Sequence, residues 1–261
     1  MRNILFISLL LFLHSFPLFG ESLPPLNSLI LHYQKSMPQG GGYTEDALAQ
    51  SILSDGKNLL VTPKTAQPSY CSSATYLVFL QTINELIQQN ALKLKATQLK
   101  ALCFHDEPDG EGIWGRWNAN GPGVAKLFAD LKIGTNFEDI EQAKPGDFMK
   151  IFWNEHIGKR ERGHLVIYLG HFSDKSGKQW VKFWSSNQPN GYGSKSVPIT
   201  NINWAIFSRL DHWKNLPRIS QLPKSDPFLT NMLHKDFTRD QVRNACKIIG
   251  KTSSLPFYKS Q

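Results

Sequence analysis

The chain has 261 residues, of which 41% are hydrophobic and 19% charged, including 16 Phe, 7 Trp and 7 Tyr. That apolar content supplies one substantial core and excludes global disorder, and the absence of any heptad or Gly-X-Y period excludes coiled-coil and collagen designs. Lys and Arg total 29 against 21 Asp and Glu, a formal charge of +8, which favours anionic partners.

Met1-Arg2-Asn3, the apolar run Ile4 to Leu13, and Leu18-Phe19-Gly20 before Glu21 read as a secretory signal peptide over residues 1–20. The run is shorter than the roughly 20 residues a bilayer span needs, and His14 and Pro17 interrupt the stretch after it. The protein is therefore expected to be exported, periplasmic or secreted, with no stable membrane insertion after cleavage. Residues 21–42 carry Pro24-Pro25, Pro38 and three glycines and read as an irregular lead, with one apolar stretch from Leu29 to Tyr33. Thr44 suits a cap for a helix from Glu45 to Leu53. Pro63, Pro68 and Ser69 mark a loop. From Cys71, the residues Tyr76, Phe79, Leu80, Ile83, Leu86 and Ile87 recur at helical spacing, and Leu77 and Val78 make the first half apolar all round. That helix should be central and buried.

Lys95 to Leu102 reads as a short helix, His105 to Gly123 as a glycine-rich loop, and Val124 to Leu131 as a helix. Phe137 to Ile140 is ambiguous. The pattern then turns to strands: Phe148 to Trp153, Leu165 to Leu169, Gln179 to Ser185 and Ile202 to Arg209. Helices followed by antiparallel strands predict an α+β domain, with N-terminal helices packed on an antiparallel sheet. Its expected limits are residues 43–212. Residues 213–261 form a C-terminal extension with one helix, Thr238 to Ile249.

Cys71 stands at the head of the central helix. Free N–H groups and the helix dipole favour a thiolate there and can donate to an oxyanion. A thiolate nucleophile needs an imidazole to take and return a proton. Among eight histidines, His164 opens the run Gly163-His164-Leu165-Val166-Ile167-Tyr168-Leu169-Gly170, at a strand start that is rigid on one side and open on the other. On residues alone, a small residue at a helix start and a histidine at a sheet edge remain open readings of both positions.

Lys144-Pro145-Gly146-Asp147-Phe148-Met149-Lys150-Ile151-Phe152, the Gly163 to Gly170 run and the earlier Cys71 together resemble the NlpC-type, papain-like cell-wall cysteine peptidases, over about Tyr70 to Ser186. The resemblance implies a papain-like fold and an exported hydrolase that cleaves amide bonds in peptidoglycan peptides through a thioester. Cys71 would be the nucleophile, His164 the base and then acid, and a polar residue on the next strand would orient the imidazole. Asn187 is the first choice for that residue, with Ser185 and Gln188 as alternatives. The chain departs from the family in carrying Tyr70, rather than Asp, before the cysteine. That puts in doubt a preference for substrates with a free amine. Tyr70 and Ser72 flank the nucleophile and count as substrate-binding candidates.

Trp114, Arg116 and Trp117, in the long loop, are candidates for stacking on sugar and meeting a carboxylate, or alternatively for loop and core anchors. His105 to Glu111 has no calcium-loop spacing, and no Cys-x-x-Cys pair or phosphate loop exists, so no metal or cofactor is expected. Basic residues are scattered, so nucleic acid is not an expected partner. Cys103 and Cys246 are candidates for a disulfide that ties the extension to the domain. A catalytically inactive wall-binding module and a thiol acyltransferase are the alternatives to a hydrolase.

Overall fold

The structure, a computed structural model, describes residues 25–44, 48–103 and 110–250. The expected signal segment 1–20 and the acidic residues 105–109 lie outside these residues. In chain order the elements are α1 (Leu26–Ser36), β1 (Gly40–Gly41), α2 (Leu48–Ser51), β2 (Ile52–Ser54), β3 (Leu59–Val61), α3 (Cys71–Gln88), α4 (Ala96–Leu102), α5 (Gly112–Asn118) and α6 (Gly123–Leu131). They continue with β4 (Thr135–Phe137), β5 (Phe148–Phe152), β6 (Gly163–Ser173), β7 (Gln179–Asn187), β8 (Gly191–Pro198), β9 (Trp204–Arg209), α7 (Pro227–Met232) and α8 (Arg239–Ala245). The fold is α+β. A seven-stranded antiparallel sheet runs β1-β8-β7-β6-β5-β9-β4. Among the described residues, no helix is long and apolar enough to cross a membrane.

The sheet buries both faces, as its strand sequences require. In β5 and β6 the alternate residues Phe148, Leu165 and Ile167 join the core under the helices. Met149, Ile151, Val166 and Tyr168 point the other way, into a second core with Phe183, Ala205 and Phe207. α3 lies in the first core; Ala74 and Tyr76 through Leu80 are fully buried. That burial on all sides matches the apolar circumference of its first half.

Several expectations are corrected. The lead is not irregular: Leu26, Leu29, Ile30 and Tyr33 form one face of α1, which packs on α3. The helix expected to reach Leu53 stops at Ser51, and Ile52–Ser54 instead pairs with Leu59–Val61 in a hairpin. The expected loop 105–123 contains α5. Gly112 and Gly115 disfavour a helix, yet burial of Ile113, Trp114 and Trp117 outweighs the propensity cost of about 1 kcal/mol per glycine. β8 escaped prediction because Gly191, Gly193, Ser194 and Ser196 carry little strand propensity; its full-length backbone pairing with β7 supplies the stabilisation. The last helix is Arg239–Ala245, shorter than Thr238 to Ile249, with Thr238 as its capping residue.

The core extends past the expected limits 43 and 212. Leu216 and Ile219 are buried in the first core, and Leu229, Met232, Val242 and Cys246 join Phe152, Trp204 and Ile206 in a third. The Cys103–Cys246 disulfide does not form. Cys71, Cys103 and Cys246 are all free, with Cys103 against the first core and Cys246 inside the third.

The Pro-Gly-Asp turn ties these parts together. Gly146 has φ +97°, and a Cβ there would lie 2.7 Å from the Asn27 carbonyl, so the position requires glycine. Asp147 is wholly buried. It accepts from Asn27 Nδ2 (2.9 Å), the Lys144 N–H (2.8 Å) and Arg209 Nε and Nη2 (2.9 and 2.7 Å). One carboxylate thus joins α1, the turn and β9.

Candidate active site

Cys71 is the first residue of α3, and Tyr70 before it has extended backbone with no side-chain cap. The first-turn N–H groups are therefore left for other acceptors. Antiparallel pairing of β6 with β5 places His164 opposite Ile151, and β7 delivers Asn187 at its end. These strand ends meet the head of α3 at one cleft of about 770 Å³.

His164 Nε2 lies 3.2 Å from Asn187 Oδ1. Asn187 Nδ2 donates to the carbonyls of Ser185 (3.0 Å) and Gly193 (2.8 Å), which fixes the amide so that its oxygen faces the imidazole. That oxygen only accepts, so Nε2 carries the proton. The hydrogen bond that His164 shares with Cys71 therefore uses Nδ1. Phe183 meets the imidazole edge-on at 5.7 Å, and Trp153 stacks on it at 6.4 Å. Both rings restrict its orientation.

Burial pushes the Cys71 thiol up. The charge and hydrogen bond of His164, the Leu165 backbone N–H and the Lys150 charge outweigh burial and bring the thiol down to about 6. At neutral pH Cys71 is therefore a thiolate, held beside the His164 imidazole. The Tyr43 hydroxyl points at Sγ from 3.8 Å. Burial first, and the neighbouring thiolate second, raise the Tyr43 pKa, so its proton stays available for donation.

No family model, curated protein or solved structure matches this chain.

Three of the expected residues, Cys71, His164 and Asn187, come together. Ser185 and Gln188, the alternatives for the third position, do not touch the imidazole. Ser185 is buried and donates to the Leu165 carbonyl at 2.8 Å, while Gln188 is exposed on the rim. Tyr70 lines the cleft, 44% exposed, with its ring edge-on to Tyr43. Ser72 lines it too, but its hydroxyl donates to Asn118 Oδ1 at 2.6 Å.

The Trp114-Arg116-Trp117 group is corrected. Arg116 is fully buried, and its guanidinium donates to the carbonyls of Gly112 (2.9 Å) and Pro223 (2.8 Å). It holds the chain near Pro223 and does not line the cleft. Trp114 packs on Tyr76, away from the cleft. Trp117 lies under the cleft floor and is 1% exposed; its indole N–H is shared between the Ser72 carbonyl and the Thr75 hydroxyl, both at 3.2 Å. Its work is to brace the first turn of α3.

Sequence reasoning missed Tyr43, Lys150, Trp153, Glu161, Arg162 and Lys195, all of which line the cleft. Lys150 pairs with Glu161 at 2.7 Å. A Cβ at Gly163 would sit 2.8 Å from both Lys150 Nζ and Glu161 Oε1, so the glycine before His164 makes room for this pair. A lysine between apolar residues in β5, beside the glycine-histidine pair, was the available signal. Tyr43 is 28 residues upstream of Cys71, and no local pattern marks it. Among the described residues, no group of His, Cys, Asp and Glu is placed to hold a metal ion.

Proposed function

We propose that this protein is a cysteine hydrolase that cleaves amide bonds, with a papain-like arrangement of Cys71, His164 and Asn187. The observation that supports the reading most is the Cys71 thiol, brought down to about 6 beside an imidazole whose far nitrogen is held by Asn187. A buried structural cysteine would move the other way, as Cys246 does.

In the reaction, the Cys71 thiolate attacks the substrate carbonyl carbon. The developing oxyanion meets the N–H groups of the first turn of α3 and the Tyr43 hydroxyl. His164 gives its Nδ1 proton to the leaving nitrogen, the C–N bond breaks, and the acyl group stays on sulfur as a thioester. Water then attacks the thioester, and the neutral imidazole takes its proton. Release of the acid restores the thiolate and imidazolium. Asn187 keeps the ring oriented throughout.

The resemblance to NlpC-type enzymes supplies the substrate class, peptidoglycan peptides, and the N-terminal segment the location, periplasmic or secreted. The test is digestion of purified muropeptides, followed by mass spectrometry, with Cys71→Ala as control. A hydrolysis product that depends on Cys71 is the expected result. Intact muropeptides with both proteins would refute amide hydrolysis.

A further inference from the structure

Charge in the cleft is one-sided. Lys150, Arg162 and Lys195 line it against a single carboxylate, Glu161, among the described residues. Both Glu161 oxygens are engaged: Oε1 by Lys150 Nζ at 2.7 Å and Oε2 by the Gly158 N–H at 3.1 Å. Its side chain is 6% exposed, so it offsets Lys150 and offers nothing to a substrate ammonium.

Arg162 and Lys195 differ from Lys150. Both are exposed, and neither is in an ion pair among the described residues. Arg162 is fixed through its backbone, whose carbonyl accepts from the Trp153 N–H (2.8 Å) and whose N–H donates to Asn154 Oδ1 (3.1 Å). Its guanidinium is left to the cleft. Lys195 pairs in register with Phe183, the ring that packs on His164. The facing wall contributes Asn118 and Asn120, both neutral, and the residue before Cys71 is the neutral Tyr70.

We propose that Arg162 and Lys195, each from its own part of the cleft lining, give the cleft an anion subsite that selects amide substrates carrying a carboxylate. A guanidinium supplies a planar pair of donors for a carboxylate, and the lysine adds a point charge. A substrate ammonium in the same place would meet like charges and no free acid, which discriminates against it. The link to a scissile bond rests on the hydrolase reading, whereas binding of the carboxylate is measurable without turnover.

The probes are two synthetic cell-wall stem tetrapeptides of one sequence, one with free carboxylates and one with every carboxyl group converted to carboxamide. Calorimetry on Cys71→Ala protein should show the free acid binding about tenfold more tightly, with the gap narrowing as salt rises. Adding Arg162→Gln and Lys195→Gln together should shrink the gap below about threefold. Both positions are exposed, and circular dichroism verifies that the variant is folded. Equal binding of the two peptides, a preference that survives the double substitution, or no binding of either overturns the subsite. A binding preference without turnover by the unsubstituted protein upholds the subsite and removes the hydrolase reading. Turnover of both peptides at equal kcat/KM does the reverse.

Discussion

The imidazole of His164 and the amide of Asn187, 23 residues apart, are joined by one 3.2 Å hydrogen bond whose direction is set by two backbone carbonyls on the far side of the amide. Ser185 and Gly193 accept both amide protons, leaving only the oxygen for the ring. The proton inventory of His164 is set by that arrangement, and the role of Cys71 is set by His164.

Asn187→Ala should lower kcat about 100-fold with the thiol still present, because the ring loses its fixed orientation. Asn187→Asp retains an acceptor and should recover part of the loss. Single-turnover kinetics on both variants is the measurement.

The Cys71 pKa is lowered relative to an ordinary thiol of about 8.5, so the reactive thiolate is present above about pH 6 and lost below it. Alkylation followed by peptide mass spectrometry should therefore be half-maximal near pH 6. His164→Ala removes the two largest lowering influences and leaves burial opposed only by the Leu165 N–H and the Lys150 charge, so the midpoint should move up by at least about one pH unit. A midpoint that does not move would disprove the ion pair.

Tyr43→Phe deletes one hydroxyl without changing the ring's packing against Tyr70. If that hydroxyl meets the oxyanion, kcat should fall about 100-fold with KM little altered. A rise in KM alone would mark Tyr43 as a ground-state contact.

Asp147→Ala strands the Arg209 guanidinium and frees Asn27, so stability should fall by about 3 kcal/mol. Urea unfolding measures it. Alkylation of Cys71 in the folded variant should keep its midpoint, since no contact joins Asp147 to the cleft.

Trp114→Ala separates the two roles weighed for that ring. Its packing on Tyr76 and its burial predict a loss of about 3 to 5 kcal/mol in stability and no effect on muropeptide KM.

The parts legible in the sequence are those where one local pattern decides. The circumference of α3 and the apolar alternation of β5 and β6 could be read because burial on known faces dictates them. Cys71 and His164 stood out because each begins such an element. β8 and α5 were not legible, since the low propensity of the glycines and serines there is overridden by backbone pairing with β7 for one and by burial of Trp114 and Trp117 in the core for the other. Arg116 was misread for a related reason. A guanidinium held by the Gly112 and Pro223 carbonyls looks, in one dimension, the same as one waiting for a ligand.

Asp236, in the segment between α7 and α8, accepts from the Arg160 N–H (2.9 Å) and Nε (2.7 Å) and pairs with His156 (2.9 Å), and the Phe237 N–H donates to the Ile157 carbonyl. These bonds clamp the β5–β6 connection, which carries Glu161 and Arg162 into the cleft. Cys71, His164 and Asn187 all precede residue 188, but the wall beside this trio is fastened by residues some fifty positions later. The shape of that wall and the placing of the trio are thus set by separate stretches of the chain, so a change near Asp236 can reshape the groove without touching Cys71, His164 or Asn187.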